Sequence, residues 1–140
     1  MGSFEGKTVL ITGAGRAVLS DGKCGSIGYG IATAFAKEGA NLVLTGRNVS
    51  KLESAKKELE EKYKVKVLIL QADINDKNDN EAAVCHVMDE IKKTFGRLDV
   101  LIDNAQASAS GVPLKDNTTE QLNLALYSGL YATFYYRTHA

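Results

Sequence analysis

The sequence predicts an α/β fold in which a doubly wound parallel β-sheet carries helices on both faces. Short apolar runs alternate along the chain with longer amphipathic segments, which is the pattern of repeated strand–helix units. The runs are continuously apolar, as expected for strands that helices cover on both faces. Helical segments of this length allow right-handed crossovers between parallel strands.

Local signals support each element in turn. The predicted strands span 8–11, 42–44, 65–70 and 98–102. The predicted helices span 27–37, 50–63, 78–95 and, after a loop over 103–117, a last segment from 118 onward. Gly39 is a stop signal for the first helix. Ser50 and Glu53 have the spacing of a capping box, in which two side chains satisfy free backbone N–H groups, and Thr118 and Gln121 repeat it.

Composition and charge indicate one globular domain over residues 1–140. The chain is 44% hydrophobic and 24% charged, and 17 Lys+Arg balance 17 Asp+Glu. These values exclude a disordered chain and a disulfide-stapled miniprotein, and the charge balance argues against bulk binding to nucleic acid or an anionic membrane. Two cysteines, no apolar leader and no run of about 20 apolar residues predict a reduced, cytoplasmic, non-membrane protein.

A glycine-rich loop joins the first strand to the first helix. Six of the 13 glycines fall between Gly13 and Gly30. Glycine lets the backbone turn tightly and approach a pyrophosphate, and the following helix N-terminus offers free N–H groups and a positive dipole end. This placement predicts a dinucleotide site; the alternative is an insertion-prone loop that binds nothing.

The loop resembles the cofactor motif of the short-chain dehydrogenases/reductases. The matching segments are Thr12-Gly13-Ala14-Gly15-Arg16 and Ser26-Ile27-Gly28-Tyr29-Gly30-Ile31-Ala32. The family usually has five residues between the first and last motif glycines; fourteen separate Gly13 from Gly28, so about nine, roughly 17–25, are extra. The second segment also resembles the enoyl-acyl-carrier reductase branch, whose loop is longer. Later motifs match in order, so the resemblance implies a Rossmann-type sheet with strand order 3-2-1-4.

The resemblance implies a cofactor site assembled from the ends of all four strands. Its residues would be Gly13, Gly15, Arg16, Ser26, Ile27, Gly28, Arg47, Asp73, Ile74, Asn104 and Ala105. Asp73-Ile74 matches the position that holds the adenine edge, although an ordinary turn or helix cap is the alternative. Asp103-Asn104-Ala105-Gln106 resembles the family's Asn-Asn-Ala-Gly, with two of four positions different, and implies that Asn104 and Ala105 lie beside the ribose and nicotinamide.

The residues after the second strand favour NADP(H) over NAD(H). Thr45-Gly46-Arg47 has no carboxylate to hydrogen-bond the adenosine ribose hydroxyls. Arg47 can instead pair with a 2′-phosphate through a charge-assisted bond, and Arg16 is a candidate for a second contact. The alternative is that Arg47 is merely solvated and the site does not discriminate between the cofactors.

Catalytic residues are not found in this sequence. Members of the family donate a proton from a Tyr with a Lys four residues on, helped by a Ser. None of the six tyrosines here is followed by Lys at that spacing, and the Asn that often joins the three aligns with Gly129. The chain therefore resembles the first half of an NADP(H)-dependent enzyme that interconverts an alcohol and a carbonyl, expected to be inactive alone and to meet substrate only at full length. An enoyl-acyl-carrier-type reductase and a non-catalytic nucleotide-binding or dimerisation module remain alternatives.

The last helix predicts a homo-oligomer. An apolar line and a neighbouring row of tyrosines cover most of its surface: Leu122, Leu126, Leu130, Phe134, Tyr127, Tyr131 and Tyr135. That is too broad for one packed face. The fourth strand would also be an exposed sheet edge, which favours association.

The cysteines and histidines predict no metal site. Cys85 and His86 are adjacent, point about 100° apart on a helix and have no second ligand pair at metal spacing. We expect Cys85 in the core and His86 on the surface. Cys24, in the glycine-rich insertion, is expected to be an exposed loop residue rather than a reactive thiol.

Overall fold

The chain folds around a four-stranded parallel sheet with the predicted order. The structure is a computed structural model that describes residues 2–17, 20–23, 25–74, 80–107 and 111–140. The strands are β1 (Thr8–Thr12), β2 (Asn41–Gly46), β3 (Val67–Gln71) and β4 (Val100–Ile102), in the order β3-β2-β1-β4. All three strand pairs are parallel. The carboxyl ends of the strands therefore meet at one edge of the sheet.

Five α-helices, counted over the described residues, surround the sheet. They are α1 (Ile27–Lys37), α2 (Val49–Tyr63), α3 (Asn80–Thr94), α4 (Thr119–Ala125) and α5 (Ala132–His139). A 3₁₀ turn, Leu114–Asp116, precedes α4, and a π-helical turn, Leu126–Tyr131, joins α4 directly to α5. None of these helices, within the described residues, is long and apolar enough to cross a bilayer.

Successive side chains of a strand point to opposite faces of the sheet, so the apolar residues form two hydrophobic clusters, one on each face. Val9 and Ile11 of β1 face α1 and α2, whereas Leu10 faces α3 and α5. All three side chains are fully buried. The continuous apolar run in the sequence thus reflects coverage by helices on both faces, as predicted.

Of the two capping boxes predicted from the sequence, the structure confirms one. The capping box of Thr118 and Gln121 is confirmed: Gln121 N donates to Thr118 Oγ1 at 3.2 Å, and Thr118 N donates to Gln121 Oε1 at 2.8 Å. The box at Ser50 is wrong, because α2 begins one residue earlier and Asn48 is its N-cap, with Oδ1 accepting from Lys51 N at 3.1 Å. Asn48, two residues after the end of β2, caps the first turn of α2 in place of Ser50.

The two outer strands are shorter than predicted because the inner strands limit them. β3 begins at Val67 rather than 65, and β4 at Val100 rather than 98. The ladders pair Val67 with Leu42 and Val100 with Val9, close to the starts of β2 and β1. Residues further upstream find few strand partners. The predicted start of α3 at 78 lies outside the described residues.

The expected position is confirmed for His86 and not for Cys85. Cys85 is half-buried on α3 rather than in the core, and His86 is exposed. Cys24 lies outside the described residues. Within the described ranges, no group of three or more His, Cys, Asp or Glu side chains is arranged so that it could hold a metal ion.

Candidate cofactor site

A groove runs along the carboxyl edge of the sheet. It consists of two adjoining clefts of about 690 Å³ and 230 Å³, which share Gly13, Gly46 and Arg47. The groove crosses the point where the strand order reverses, since β2 lies on one side of β1 and β4 on the other. Open α/β sheets bind ligands in the crevice at this position.

The larger cleft, here called the outer cleft, lies at the start of α1. It is lined by Gly13, Gly15, Ala17, Ser26, Gly46, Arg47, Asn48 and Lys51. Ser26 is the N-cap of α1, and its Oγ accepts from Tyr29 N at 3.3 Å. As at any helix start, the N–H groups of Ile27 and Gly28 have no acceptor within the helix. The outer cleft therefore combines small residues with the positive end of a helix dipole, which suits a phosphate.

Glycine is required where α1 packs on the loop. A Cβ at Gly28 would lie 2.2 Å from the Gly13 carbonyl oxygen and 2.7 Å from Asn104 Nδ2. Gly13 itself has a φ of 68°, a conformation that side chains disfavour. These two glycines bring the start of α1 directly against the end of β1.

The smaller cleft, here called the inner cleft, lies between the ends of β2, β3 and β4. Its lining is Gly13, Thr45, Gly46, Arg47, Ala72, Ile74, Asn104, Ala105, Gln106 and Ala107. Asn104 Nδ2 donates to Thr12 O at 3.0 Å and to Gly13 O at 3.2 Å. Thr12 Oγ1 accepts from the backbone N–H of Asn104 and of Ala105, each at 3.0 Å. The Asn104 side chain thus fixes the loop after β4 against the glycine-rich loop.

Positive charge is concentrated where the two clefts meet. Arg47 is exposed, and its guanidinium has no ion-pair partner in the part of the chain that the structure describes. Neither cleft is lined by a described Asp or Glu. Lys51, which the sequence reasoning missed, lines the outer cleft from the first turn of α2. Its position four residues after Arg47, beyond the cap at Asn48, was the available signal.

Arg16 lies away from this charge. Its Nε pairs with Glu58 Oε2 of α2 at 2.5 Å, and its guanidinium lies over the Tyr29 ring, 5.9 Å from the centroid. Burial, followed by the contact with Glu58, raises the pKa of Tyr29 to about 12. Arg16 therefore joins the loop, α1 and α2 and lines neither cleft of the groove, and a second phosphate contact from Arg16 stays a prediction.

The structure brings together seven of the eleven residues expected at the site. They are Gly13, Gly15, Ser26, Arg47, Ile74, Asn104 and Ala105. Of the other four, Gly28 is buried beneath the groove, Ile27 is 75% exposed at the first position of α1, Asp73 is exposed beside Ile74, and Arg16 contacts α2.

Gln106 is a second lining residue that the sequence reasoning did not assign. It is exposed in the inner cleft, and its side chain lies against Gly129, where an added Cβ would be 3.4 Å from Gln106 Nε2. The polar amide of Gln106 therefore lies beside the position at which the family often has Asn.

The two tyrosines with shifted acidity are unsuited to proton donation. Burial raises the pKa of Tyr136 to about 12, and the pKa of Tyr29 is raised to the same value. Efficient general acids have a pKa close to the working pH. Neither Tyr29 nor Tyr136 lines either cleft, and no tyrosine is among the described lining residues of the groove.

Comparison with known proteins agrees with this geometry. The family model of the short chain dehydrogenases matches residues 7–134. A 12alpha-hydroxysteroid dehydrogenase from Clostridium sp. (strain ATCC 29733 / VPI C48-50) is 55% identical over 97% of this chain and 50% of its own. An NADP-dependent 3-hydroxy acid dehydrogenase from Schizosaccharomyces pombe is 40% identical over 75% of this chain and 36% of its own.

Solved structures give the same result. L-sorbose reductase from Gluconobacter frateurii, solved with NADPH and L-sorbose, superposes with a TM-score of 0.83 at 29% identity, covering 99% of this chain and 47% of its own. The chain spans half or less of the length of these three relatives. The family match over nearly the whole chain, the strand order and the groove at the carboxyl edge lead to one conclusion: this chain belongs to the short-chain dehydrogenase family of oxidoreductases.

Proposed function

We propose that this chain is the NADP(H)-binding half of an oxidoreductase that interconverts an alcohol and a carbonyl. The observation that carries the proposal is the exposed Arg47 at the junction of two clefts that no described carboxylate lines. NAD-binding sites of this fold place an acidic residue on the adenosine ribose, and a 2′-phosphate requires a cation there instead. The NADPH in the Gluconobacter structure and the NADP dependence of the S. pombe relative support the same choice.

Different residues of the groove would bind different parts of the cofactor. The first turn of α1, with Ser26 as its cap, would hold the pyrophosphate by backbone N–H groups. Arg47 would pair with the 2′-phosphate, and Lys51 lines the same cleft. Ile74 would contact the adenine in the inner cleft, and Asn104 and Ala105, which line the same cleft, would lie beside the ribose.

The chemistry expected of the bound cofactor is hydride transfer to or from a carbonyl carbon. Reduction also needs a proton for the developing alkoxide. This chain has no Tyr followed four residues later by Lys, and burial raises the pKa of Tyr29 and of Tyr136. We therefore expect the 140 residues to bind cofactor and to give no turnover of NADPH.

Cofactor titration tests the proposal. NADPH should bind more tightly than NADH, and Arg47→Ala should weaken NADPH about 10- to 100-fold while leaving NADH within about twofold, because only the charge-assisted phosphate bond is lost. Lys37→Ala is the control, since it removes one exposed positive charge at the far end of α1. Tighter binding of NADH, or an equal loss for both cofactors, would overturn the preference for NADP(H).

A hydroxysteroid is the substrate class that the comparisons favour. The 55% identity to the Clostridium hydroxysteroid dehydrogenase extends over 97% of this chain. The test requires the gene product that contains this chain together with any sequence encoded after Ala140. Its NADP⁺-dependent oxidation of a 12α-hydroxysteroid should exceed its NADPH-dependent reduction of L-sorbose, and the reverse order would reject the steroid.

We also propose that the chain associates with itself. On the last helical segment, Leu122, Leu130 and Phe134 are 57%, 63% and 58% exposed. β4 is an edge strand of the sheet. Apolar side chains so grouped favour a protein interface.

A further inference from the structure

Two buried polar side chains outside the groove connect its inner cleft to a single helical turn. Asn80, the first residue of α3, and Ser128, in the π-helical turn, are each only 1% exposed. Neither lines a cleft of the groove, and neither was singled out from the sequence. The hydrogen bonds of Asn80 and Ser128 show which backbone segments each side chain fixes in place.

Asn80 fixes the backbone of Ile74, which follows β3 and forms one wall of the inner cleft. Its Nδ2 donates to Ile74 O at 2.6 Å and to Tyr127 O at 2.8 Å. Ile74 lines the inner cleft, and Tyr127 belongs to the π-helical turn 47 residues away from Asn80. Both N–H groups of the amide are thus used to join the cleft wall to that turn.

Ser128 holds the opposite wall. Its Oγ accepts from Ala107 N at 2.8 Å and lies 2.8 Å from Leu124 O, to which the hydroxyl donates. Ala107 lines the inner cleft after β4. The two walls are therefore fastened to adjacent residues, Tyr127 and Ser128, of one turn.

The π-helical turn supplies the carbonyl oxygen of Tyr127, which accepts the hydrogen bond from Asn80. The N–H of Ala132 bonds to Tyr127 O across five residues, which is the π-helical pattern. Tyr127 O accepts from Asn80 as well, so one carbonyl is shared by the helix and the cleft wall. Burying an amide or hydroxyl is unfavourable unless its hydrogen bonds are made. The Asn80 Nδ2 group and the Ser128 hydroxyl each bond to a cleft-lining residue and to the last helical segment, whereas Asn80 Oδ1 has no partner among the described residues.

We propose that Asn80 and Ser128 are positioning residues for the adenosine part of the cofactor. This inference rests on the proposed function and adds residues that act through Ile74 and Ala107 rather than by contact. Losing either side chain leaves a buried backbone group without its partner and frees one wall of the inner cleft to move. The pyrophosphate position at α1 has no bond to either residue.

The experiment separates adenosine binding from general stability. The variants Asn80→Leu and Ser128→Ala are titrated with 2′,5′-ADP, which carries the adenosine and the 2′-phosphate, and separately with inorganic pyrophosphate. In each titration the added ligand displaces bound NADPH, and the change in NADPH fluorescence gives the affinity of the ligand. Each variant should weaken 2′,5′-ADP about tenfold, the loss expected for one or two hydrogen bonds, and change pyrophosphate less than twofold. Ser128→Thr, which keeps the hydroxyl, should restore the 2′,5′-ADP affinity.

Val84→Ala is the matched control. Val84 is fully buried on α3 in the same core and lines neither cleft, so its truncation lowers stability without touching the walls. The inference is overturned if Asn80→Leu and Ser128→Ala bind 2′,5′-ADP as Val84→Ala does. If Asn80→Leu fails to fold, Ser128→Ala with its Thr rescue decides. Failure of the unmodified chain to bind NADPH would contradict the proposed function, and this inference with it.

Discussion

The two faces of the sheet are covered to very different degrees. On the face of α1 and α2, the inward-pointing side chains of Leu52 and Leu59 are at most 1% exposed. On the other face, Tyr136 of α5 is equally buried, yet Leu130 and Phe134 beside it are more than half exposed. The apolar side chains of Leu52 and Leu59 are thus buried within the chain, whereas the α5 side leaves Leu130 and Phe134 as an exposed apolar surface that another protein segment could cover.

The difference explains where the cofactor groove can form. Residues of the outer cleft come from the loop before α1 and from the start of α2, whose positions depend on the completed core. The inner cleft depends in addition on Asn80 and Ser128, which belong to the incompletely covered layer. We therefore expect phosphate binding to be more robust than adenosine binding.

The largest effect is the difference in stability expected when one leucine is truncated on each layer. Leu59→Ala removes a fully buried side chain and should lower the free energy of unfolding by about 2–5 kcal/mol. Leu130→Ala should change it by less than about 0.5 kcal/mol in dilute protein. Urea denaturation measures both.

Sedimentation completes that comparison. The unmodified chain should sediment as an oligomer at high concentration, and Leu130→Ala should weaken the association because it removes exposed apolar area. A chain that remains monodisperse and monomeric at high concentration would show that the exposed face needs no second copy.

A pair of glycines in α1 tests how tightly the covered layer is packed. Gly28→Ala should destabilise the chain by about 1–3 kcal/mol and weaken NADPH, because its Cβ would overlap the Gly13 carbonyl oxygen. Gly30→Ala meets no atom within 4 Å and should stabilise the helix by about 0.5–1 kcal/mol. Thermal unfolding of both variants gives the signs, and a tolerated Gly28→Ala would contradict the close approach.

The start of α2 gives a smaller effect. Asn48→Ala should lower stability by about 1 kcal/mol, since its side chain caps Lys51 N, whereas Ser50→Ala should fall within about 0.5 kcal/mol. Chemical denaturation of the two variants distinguishes the caps. Equal losses would mean that Ser50 shares the capping role.

The smallest effect is a pH dependence on the incompletely covered face. Burial raises the pKa of Asp103 above its ordinary value, against the opposing influence of Arg137, whose Nε lies 3.6 Å from the carboxylate. A carboxyl with a raised pKa in the folded state favours folding while protonated, and that contribution is lost as pH rises through its folded pKa. Asp103→Asn should therefore gain melting temperature relative to the unmodified chain between about pH 3 and about pH 7. A relative loss would show that the Arg137 ion pair dominates.

Much of the fold follows from interactions between residues close in sequence. The strand–helix alternation, the end of the first helix before Gly39 and the capping box at Thr118 depend on neighbours within a few residues. The glycine-rich loop and the position of Arg47 after β2 likewise led to the prediction that Ser26 and Arg47 belong to one site, and both line the outer cleft. Parallel pairing then places the ends of all four strands at one edge.

Only the tertiary structure decided which groups the long side chains contact. Arg16 pairs with Glu58, 42 positions further along the chain, rather than facing the groove, because α2 packs beside α1. Asn80 bonds to a carbonyl 47 residues away, and nothing near it in sequence indicates that partner. Local patterns encode backbone conformation, whereas the pairing of buried polar groups depends on how distant elements pack, which is a property of the whole fold.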